Sequence, residues 1–284
     1  MSVGKLLRKG LPFNNVSAVA GSIATAMIQP GRTIEGLELN MAGTGLSLAS
    51  ISLVRLRANG KVFYEATGTQ IDKINRFQGL SYTAASATAV FLPIMFTELK
   101  GRDLLDEMMG AFDTSNGIAN VSIEVTIGTA TTVTALELYL IESAPQAGVI
   151  APAMTKVLRY PYSVSAGGQL SIPLPFGPVN GSVIKRIHVE HATVNNVTGM
   201  TIKENGVVVH ESVKVFNDGH NVLFGKTNQQ AATPYWYSVD LMADCNVKNA
   251  MDTRTDRSLE LVPTFGAADS GFVLVEYLDT LGNL

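Results

Sequence analysis

NGKVFYEATGTQIDKINRFQG, Asn59 to Gly79, occurs in this chain in a second version, NGVVVHESVKVFNDGHNVLFG, Asn205 to Gly225. At a constant offset of 146 residues the pairs Asn59/Asn205, Gly60/Gly206, Val62/Val208, Glu65/Glu211, Asp72/Asp218, Asn75/Asn221 and Gly79/Gly225 are identical. Unrelated segments of average composition would share about one or two residues in such a window. The period is too long for a solenoid or propeller unit and is the size of one domain. In both copies Asn-Gly falls where a two-residue hairpin turn needs positive φ. Each copy therefore predicts a hairpin followed by a polar connection, and the chain predicts two like domains.

The repeat extends outward in the same order. Upstream, GSIATAMIQPGRTIEGLEL from Gly21 parallels GGQLSIPLPFGPVNGSVIKRIHV from Gly167. Downstream, Ala111-Phe112-Asp113-Thr114 matches Ala250-Met251-Asp252-Thr253, SIEV from Ser122 matches SLEL from Ser258, and ALELYL from Ala135 matches VLVEYL from Val273. Most of these stretches are short, alternating and rich in β-branched residues, such as Ile51, Leu53, Arg55 and Arg57 before the first turn, which is an antiparallel strand signature. One segment reads differently. In Glu98 to Ala111, Leu104, Leu105, Met108 and Met109 recur at helical spacing, predicting one helix.

Two β-rich halves with about eight short strands each fit the jelly roll, in which two facing four-stranded sheets are wound as Greek keys. The expected fold is all-β, a double jelly roll of two tandem eight-stranded sandwiches with short helices in the connecting loops. Its parts are an N-terminal arm over 1–20, a first jelly roll over 21–142, a linker over 143–166 centred on the Pro/Gly/Ala-rich SAPQAGVIAP, and a second jelly roll over 167–284. Paired immunoglobulin-like sandwiches are the alternative on pattern alone, but no Cys-Trp-Cys framework is present.

Charged residues make up only 16% of the chain against 46% hydrophobic, so much of the surface is expected to face other subunits. The net charge of −3 argues against a general nucleic-acid binder. A single cysteine, Cys245, excludes an intrachain disulfide and a cysteine-based zinc site and reads as a small buried hydrophobe. The apolar run Ala84 to Phe96 is too short to span a bilayer, and the N-terminus lacks the h-region of a secretory signal. That N-terminus instead interleaves Lys5, Arg8 and Lys9 with Leu6, Leu7 and Leu11, either a basic amphipathic arm suited to an acidic or lipid surface or a solvated tail.

Catalytic patterns are lacking. His188 and His191 are three apart on a predicted strand and face opposite sides, and His210 stands at the position of Tyr64. Gly43-Thr44-Gly45 lacks the third glycine and the βαβ setting of a dinucleotide loop. Asp113 and Asp252 occupy equivalent places before a strand, where a turn role suits them. Calcium held by Asp113, Asp252, Asp256 or Asp269 would suit an interface between subunits, but no EF-hand spacing supports it, so no cofactor is assigned.

The residues quoted above carry a resemblance. FTELKGRDLLDEMMGAFDTSNGIANVSIEVTI (Phe96 to Ile127), PFNNVSAVAGSIATAMIQPGRTIEGLEL (Pro12 to Leu39), and RIHV with the following ENG hairpin resemble the double jelly-roll major capsid proteins of tailless icosahedral viruses with an internal membrane, above all those of the corticovirus phages. The resemblance spans nearly the whole chain. It implies a structural, non-enzymatic protein of the virion, made in the host cytoplasm. It further implies a homotrimer whose six jelly rolls form a pseudo-hexagonal capsomer, in contact with neighbouring capsomers, a vertex (penton) protein and an internal membrane or its proteins. Lys5, Arg8 and Lys9 would then point inward. The competing expectation is a carbohydrate-binding or adhesive sandwich, which would need exposed aromatic platforms. The candidates, Tyr235, Trp236 and Tyr237, alternate along one predicted strand, which suits core burial.

Overall fold

A computed structural model of the chain describes residues 5–98, 100–101, 108–115, 117–145, 153–177, 183–228 and 234–280. Half of the helix predicted from Glu98 to Ala111 and most of the SAPQAGVIAP stretch lie outside the described residues.

The first half contains β1 (Leu6–Lys9), β2 (Ile23–Ile28), β3 (Thr33–Thr44), β4 (Ile51–Ala58), β5 (Lys61–Ala66), α1 (Gly68–Phe77), β6 (Ala89–Met95), β7 (Phe112–Asp113), β8 (Val121–Ile127) and β9 (Thr132–Ser143). The second contains β10 (Ala153–Val164), β11 (Gly168–Gln169), β12 (Ile172–Pro173), β13 (Val183–His191), β14 (Val197–Glu204), β15 (Val207–Val213), α2 (Lys214–Leu223), β16 (Tyr235–Asp240), β17 (Met251–Asp252), β18 (Leu259–Phe265) and β19 (Asp269–Thr280).

Strand order is the same in the two halves. In the first, β1-β9-β3-β6, with β7 beside β3, faces β2-β8-β4-β5; in the second, β10-β19-β13-β16, with β17 beside β13, faces β18-β14-β15, where β11 and β12 take the place of β2. Between the facing sheets lie two apolar cores, one around Leu37, Leu39, Val54, Leu56, Leu92, Ile123 and Leu138, the other around Ile187, Val189, Met200, Ile202, Leu261, Val275 and Tyr277. Burying each such side chain contributes about 1.5–3 kcal/mol. A parallel contact, Val157 opposite Tyr64, joins β10 to β5 and so fuses one sheet of each half into a single nine-stranded sheet.

The duplicated stretch explains why its identical residues are needed. Asn59 and Gly60 have φ of +48° and +82°, and Asn205 and Gly206 have +51° and +81°, the paired positive values of a type I′ hairpin. Each asparagine also fastens its turn to the neighbouring strand: Asn59 Oδ1 accepts from Ala119 N at 2.9 Å, and Asn205 Oδ1 from Arg257 N at 2.7 Å.

The polar connection expected after the hairpin is in fact a helix in both copies, α1 and α2, again 146 residues apart. Asn75 and Asn221, one turn from the C-termini, donate from Nδ2 to Pro93 O of β6 (2.7 Å) and Ser238 O of β16 (3.1 Å), pinning each helix to the equivalent strand. Gly79 and Gly225, at φ of +84° and +70°, end the helices by letting the next N–H turn back to Asn75 O and Asn221 O at 3.0 and 2.9 Å.

Two segments are more ordered than the sequence suggests. The arm carries β1, paired with β9, and the stretch expected as a linker over 143–166 contains the twelve-residue β10, paired along its length with β19. Neither alternates: β1, the end strand of its sheet, is largely exposed, and β10, held between β19 and β5, buries four consecutive residues from Met154 to Val157, which is why periodicity does not reveal them.

Candidate assembly surfaces

The arm, the junction between the jelly rolls and the outer face of the second jelly roll hold the charged and apolar groups that the two cores leave over. In the arm, each cation meets a carboxylate. Arg8 makes a two-pronged contact with Glu142 (Nε to Oε2 2.8 Å, Nη2 to Oε1 2.6 Å), Lys9 reaches Glu137 at 2.5 Å, and Lys5 reaches the buried Glu35 at 3.1 Å. β1 pairing with β9 sets these distances, because Arg8 and Lys9 lie opposite Leu140 and Tyr139, next to the two glutamates' strand positions. Three acids therefore offset three bases, and the arm's positive field is small.

At the junction a cluster of charged side chains is buried. Arg186, fully enclosed on β13, contacts Glu98 from the first jelly roll together with Asp240 on β16 and Glu276 on β19. Lys185 adds a 2.6 Å bond to Glu98, Lys226 approaches Asp240 at 3.3 Å, and His188 bridges Ser238 and Glu276 at 2.7 and 2.8 Å. Burial alone would push Glu98 and Glu276 up. The charges of Arg186 and Lys185 overcome this, holding Glu98 well below the usual carboxylate range and, with the His188 bond, Glu276 at about 2. The cluster balances three carboxylates against three cations, which is what permits so much charge in a dry interior. The adjacent charges Lys185-Arg186 between Ile184 and Ile187 were its local trace in the sequence.

The same junction covers α1. Gln70 bonds Glu190 of β13, Phe77 packs edge-on to His188 with ring centres 5.5 Å apart, and Phe77 O accepts from Thr227 N at 3.0 Å. Beside it, Arg159 of β10 lies 3.8 Å from Glu65 of β5. Eight of the ten α1 residues are buried, whereas α2 buries only Asn217 and Asn221. Around α2, Val207, Val208, Val209, Val213, Val215, Phe216, Val222 and Leu223 form an exposed apolar face. The valine run in NGVVVHE, apolar on both sides of an edge strand, was its legible signal.

The remaining candidates fall into structural roles. Trp236 and Tyr237 are buried, with Trp236 Nε1 3.2 Å from His188 Nδ1, and Tyr235 is half-buried with its ring stacked on His191, so the three do not form one exposed aromatic platform for a sugar. Asp113 and Asp252 each accept the backbone N–H two residues on, at 3.0 and 3.1 Å, the same turn in the two copies. Asp269 accepts from Ala192 N and Thr193 N at 3.0 and 3.1 Å and from Asn196. Among the described residues no group of three or more His, Cys, Asp or Glu could hold a metal ion, and no helix is long and apolar enough to cross a membrane. Cys245 is buried.

Two like jelly rolls sharing one sheet, with an apolar face left exposed on the second, define a double jelly-roll protein. Family models carry this further: the viral coat protein P2 N-terminal domain matches residues 7–141 and its C-terminal domain matches residues 154–281, and the chain belongs to this family. It is a viral coat protein, a structural subunit of the virion that associates with other capsid subunits.

Solved structures agree in fold. The chain is similar to the major capsid protein P2 of bacteriophage PM2, with a TM-score of 0.80, 19% identity and 98% of each chain covered. It is also similar to a chain of Sulfolobus turreted icosahedral virus (TM-score 0.68, 13% identity, 96% of this chain and 90% of that one) and to the Faustovirus major capsid protein (0.60, 8%, 98% and 90%). No curated protein matches the sequence.

Proposed function

We propose that three copies of this major capsid protein associate into a pseudo-hexagonal capsomer, and that capsomers tile an icosahedral shell over an internal lipid membrane, with a separate vertex (penton) protein at the fivefold positions. One observation carries this reading. Each chain presents two blocks of the same strand order, fixed side by side through β5 and β10, so three chains supply six like blocks around one axis. The exposed apolar face on β15 and α2 is surface that a closed oligomer would bury. Light scattering on the purified protein tests it: the expected mass is three times the 30.2 kDa chain, and electron microscopy should show six-lobed particles. A stable monomer would overturn it.

The inner, membrane-facing role expected of Lys5, Arg8 and Lys9 is a separable part of the proposal. Its support is that Lys5 and Arg8 keep 49% and 37% of their side chains exposed while paired, so their charged ends can also meet lipid phosphate. Flotation with anionic vesicles should be weakened by Lys5→Gln with Arg8→Gln. Equal flotation would remove the membrane part and leave the shell part standing.

A further inference from the structure

Equivalent faces of the two jelly rolls have different fates within one chain. The β5–α1 face of the first is covered by β10, β13 and β19 of the second; the β15–α2 face of the second, built 146 residues later on the same plan, is open. Phe216 and Leu223, the equivalents of the buried Gln70 and Phe77, are 75% and 77% exposed. β15 is moreover an edge strand with a Val207-Val208-Val209 run, the kind of edge that recruits another strand unless something covers it.

The internal repeat also identifies the surface that fits there. β13 repeats β3 at an offset of 150 residues: both carry a bulge, between Ile34 and Gly36 and between Ile184 and Arg186, and core residues Leu37 and Leu39 correspond to Ile187 and Val189. β10 repeats β1 at the same offset. Two contacts check this. Lys5 with Glu35 (3.1 Å) corresponds to Thr155 with Lys185 (2.9 Å), and Lys9 with Glu137 (2.5 Å) corresponds to Arg159 over the Phe272 ring (3.9 Å to its centre). Within the chain, the partner of the β5–α1 face is thus the edge of β10 and the outward face of the sheet running from it through β19 to β13. Its equivalent in the first jelly roll is the edge of β1 and the outward face of the sheet running from it through β9 to β3. There β1 is the end strand of its sheet, and Leu7 is 62% exposed.

We propose that the β15–α2 face is covered by the β1 edge and the outward β9–β3 face of a second copy of this chain, repeating between copies the junction that joins the jelly rolls within one. This rests on the trimer reading and names the surfaces that close it. Translating the internal contacts gives the details. Val157 opposite Tyr64 becomes Leu7 of the next copy opposite His210, in a parallel strand contact. The Arg159–Glu65 ion pair becomes Lys9 of the next copy with Glu211, and both positions keep their charge. Phe216, Leu223 and the valines of β15 lose their exposure. The contact is head to tail, so it is satisfied at every subunit only when the ring closes.

Cysteine pairing tests this in a Cys245→Ser background. Neighbouring strands lie about 4.8 Å apart, inside the Cα separation of about 4.4–6.8 Å that a disulfide spans. A Leu7→Cys/His210→Cys double variant should give covalent species up to three chains on a non-reducing gel. An equimolar mixture of the two single variants should give a disulfide-linked dimer that neither gives alone. Phe216→Asp, at an exposed position, should leave the circular dichroism unchanged and weaken trimerisation by at least about 10-fold. Trimers by light scattering without cross-linking, or trimers indifferent to Phe216→Asp, overturn the assignment and leave the trimer intact. Loss of vesicle binding in Phe216→Asp with trimers unchanged would assign the face to lipid and also overturn it. A monomeric parent protein overturns the trimer reading itself.

Discussion

Arg186 and Glu98 meet through two parallel bonds, Nη1 to Oε1 at 3.0 Å and Nη2 to Oε2 at 2.6 Å, although they belong to different jelly rolls. The fork geometry of the guanidinium fixes the angle at which the two domains sit as well as holding them together. Because the pair is buried with Lys185, Asp240 and Glu276, its value depends on completeness: a fully matched cluster roughly repays its desolvation, while an incomplete one leaves a bare charge in the interior.

Glu98→Gln should therefore cost about 3–5 kcal/mol of stability, the usual penalty for removing one partner from a buried ion pair. The urea midpoint measures it. A surface pair gives the contrast: Arg254 and Asp252 are both half exposed or more, and removing Arg254 should change the midpoint little.

The same cluster sets a response to acid. Glu276 is held at about 2 and Glu98 lower still, against an ordinary value near 4.5, so both take up protons more readily when unfolded. Their contribution is complete above about pH 4.5 and falls away as the pH drops toward 2. Thermal unfolding followed from neutral pH downward should show the melting temperature falling chiefly below pH 4.5, and Glu98→Gln should flatten that fall. A melting temperature independent of pH down to 3 would contradict the assignment.

What the sequence revealed was whatever repeats locally. Asn-Gly, the alternating strands and the order of the matched segments depend on neighbours within a few residues, and they were enough for two jelly rolls. The helices after the hairpins were hidden because their apolar residues do not share one signature: Ile71, Ile74 and Phe77 of α1 face the protein, whereas Val215, Phe216, Val222 and Leu223 of α2 face outward. The buried cluster was hidden for another reason. Glu98 and Arg186 are 88 residues apart, and the adjacent charges Lys185-Arg186 do not show which carboxylates the fold will bring to them. Strands β1 and β10 escaped because neither alternates: β1 is largely exposed, and β10 buries four consecutive residues, Met154 to Val157.

The hairpin asparagines should be separable into backbone and side-chain parts. Asn205→Gly keeps positive φ at no steric cost but loses the acceptor for Arg257 N, a loss of about 1 kcal/mol. Asn205→Ala loses the acceptor and adds the strain of a Cβ at φ +51°, about 1–2 kcal/mol more. The expected order of urea midpoints is parent, then glycine, then alanine. Asn59 should follow the same order.

The two helices differ at their first residue, and this gives a gain rather than a loss. Thr67 caps α1, its Oγ1 accepting from Gln70 N at 3.1 Å while Gln70 Oε1 accepts from Thr67 N at 2.9 Å. Val213, at the equivalent place before α2, has the same extended backbone but offers no side-chain acceptor, so the first turn of α2 lacks a cap. Threonine there keeps the β-branched shape that suits the end of β15 and supplies the missing oxygen. Val213→Thr should therefore stabilise the protein by about 0.5–1 kcal/mol, and Thr67→Ala should cost about 1 kcal/mol. Hydrogen exchange distinguishes a local from a global effect: protection should rise in the first turn of α2 and leave β13 and β19 unchanged. If exchange slows everywhere or nowhere, the uncapped end of α2 is not its weak point.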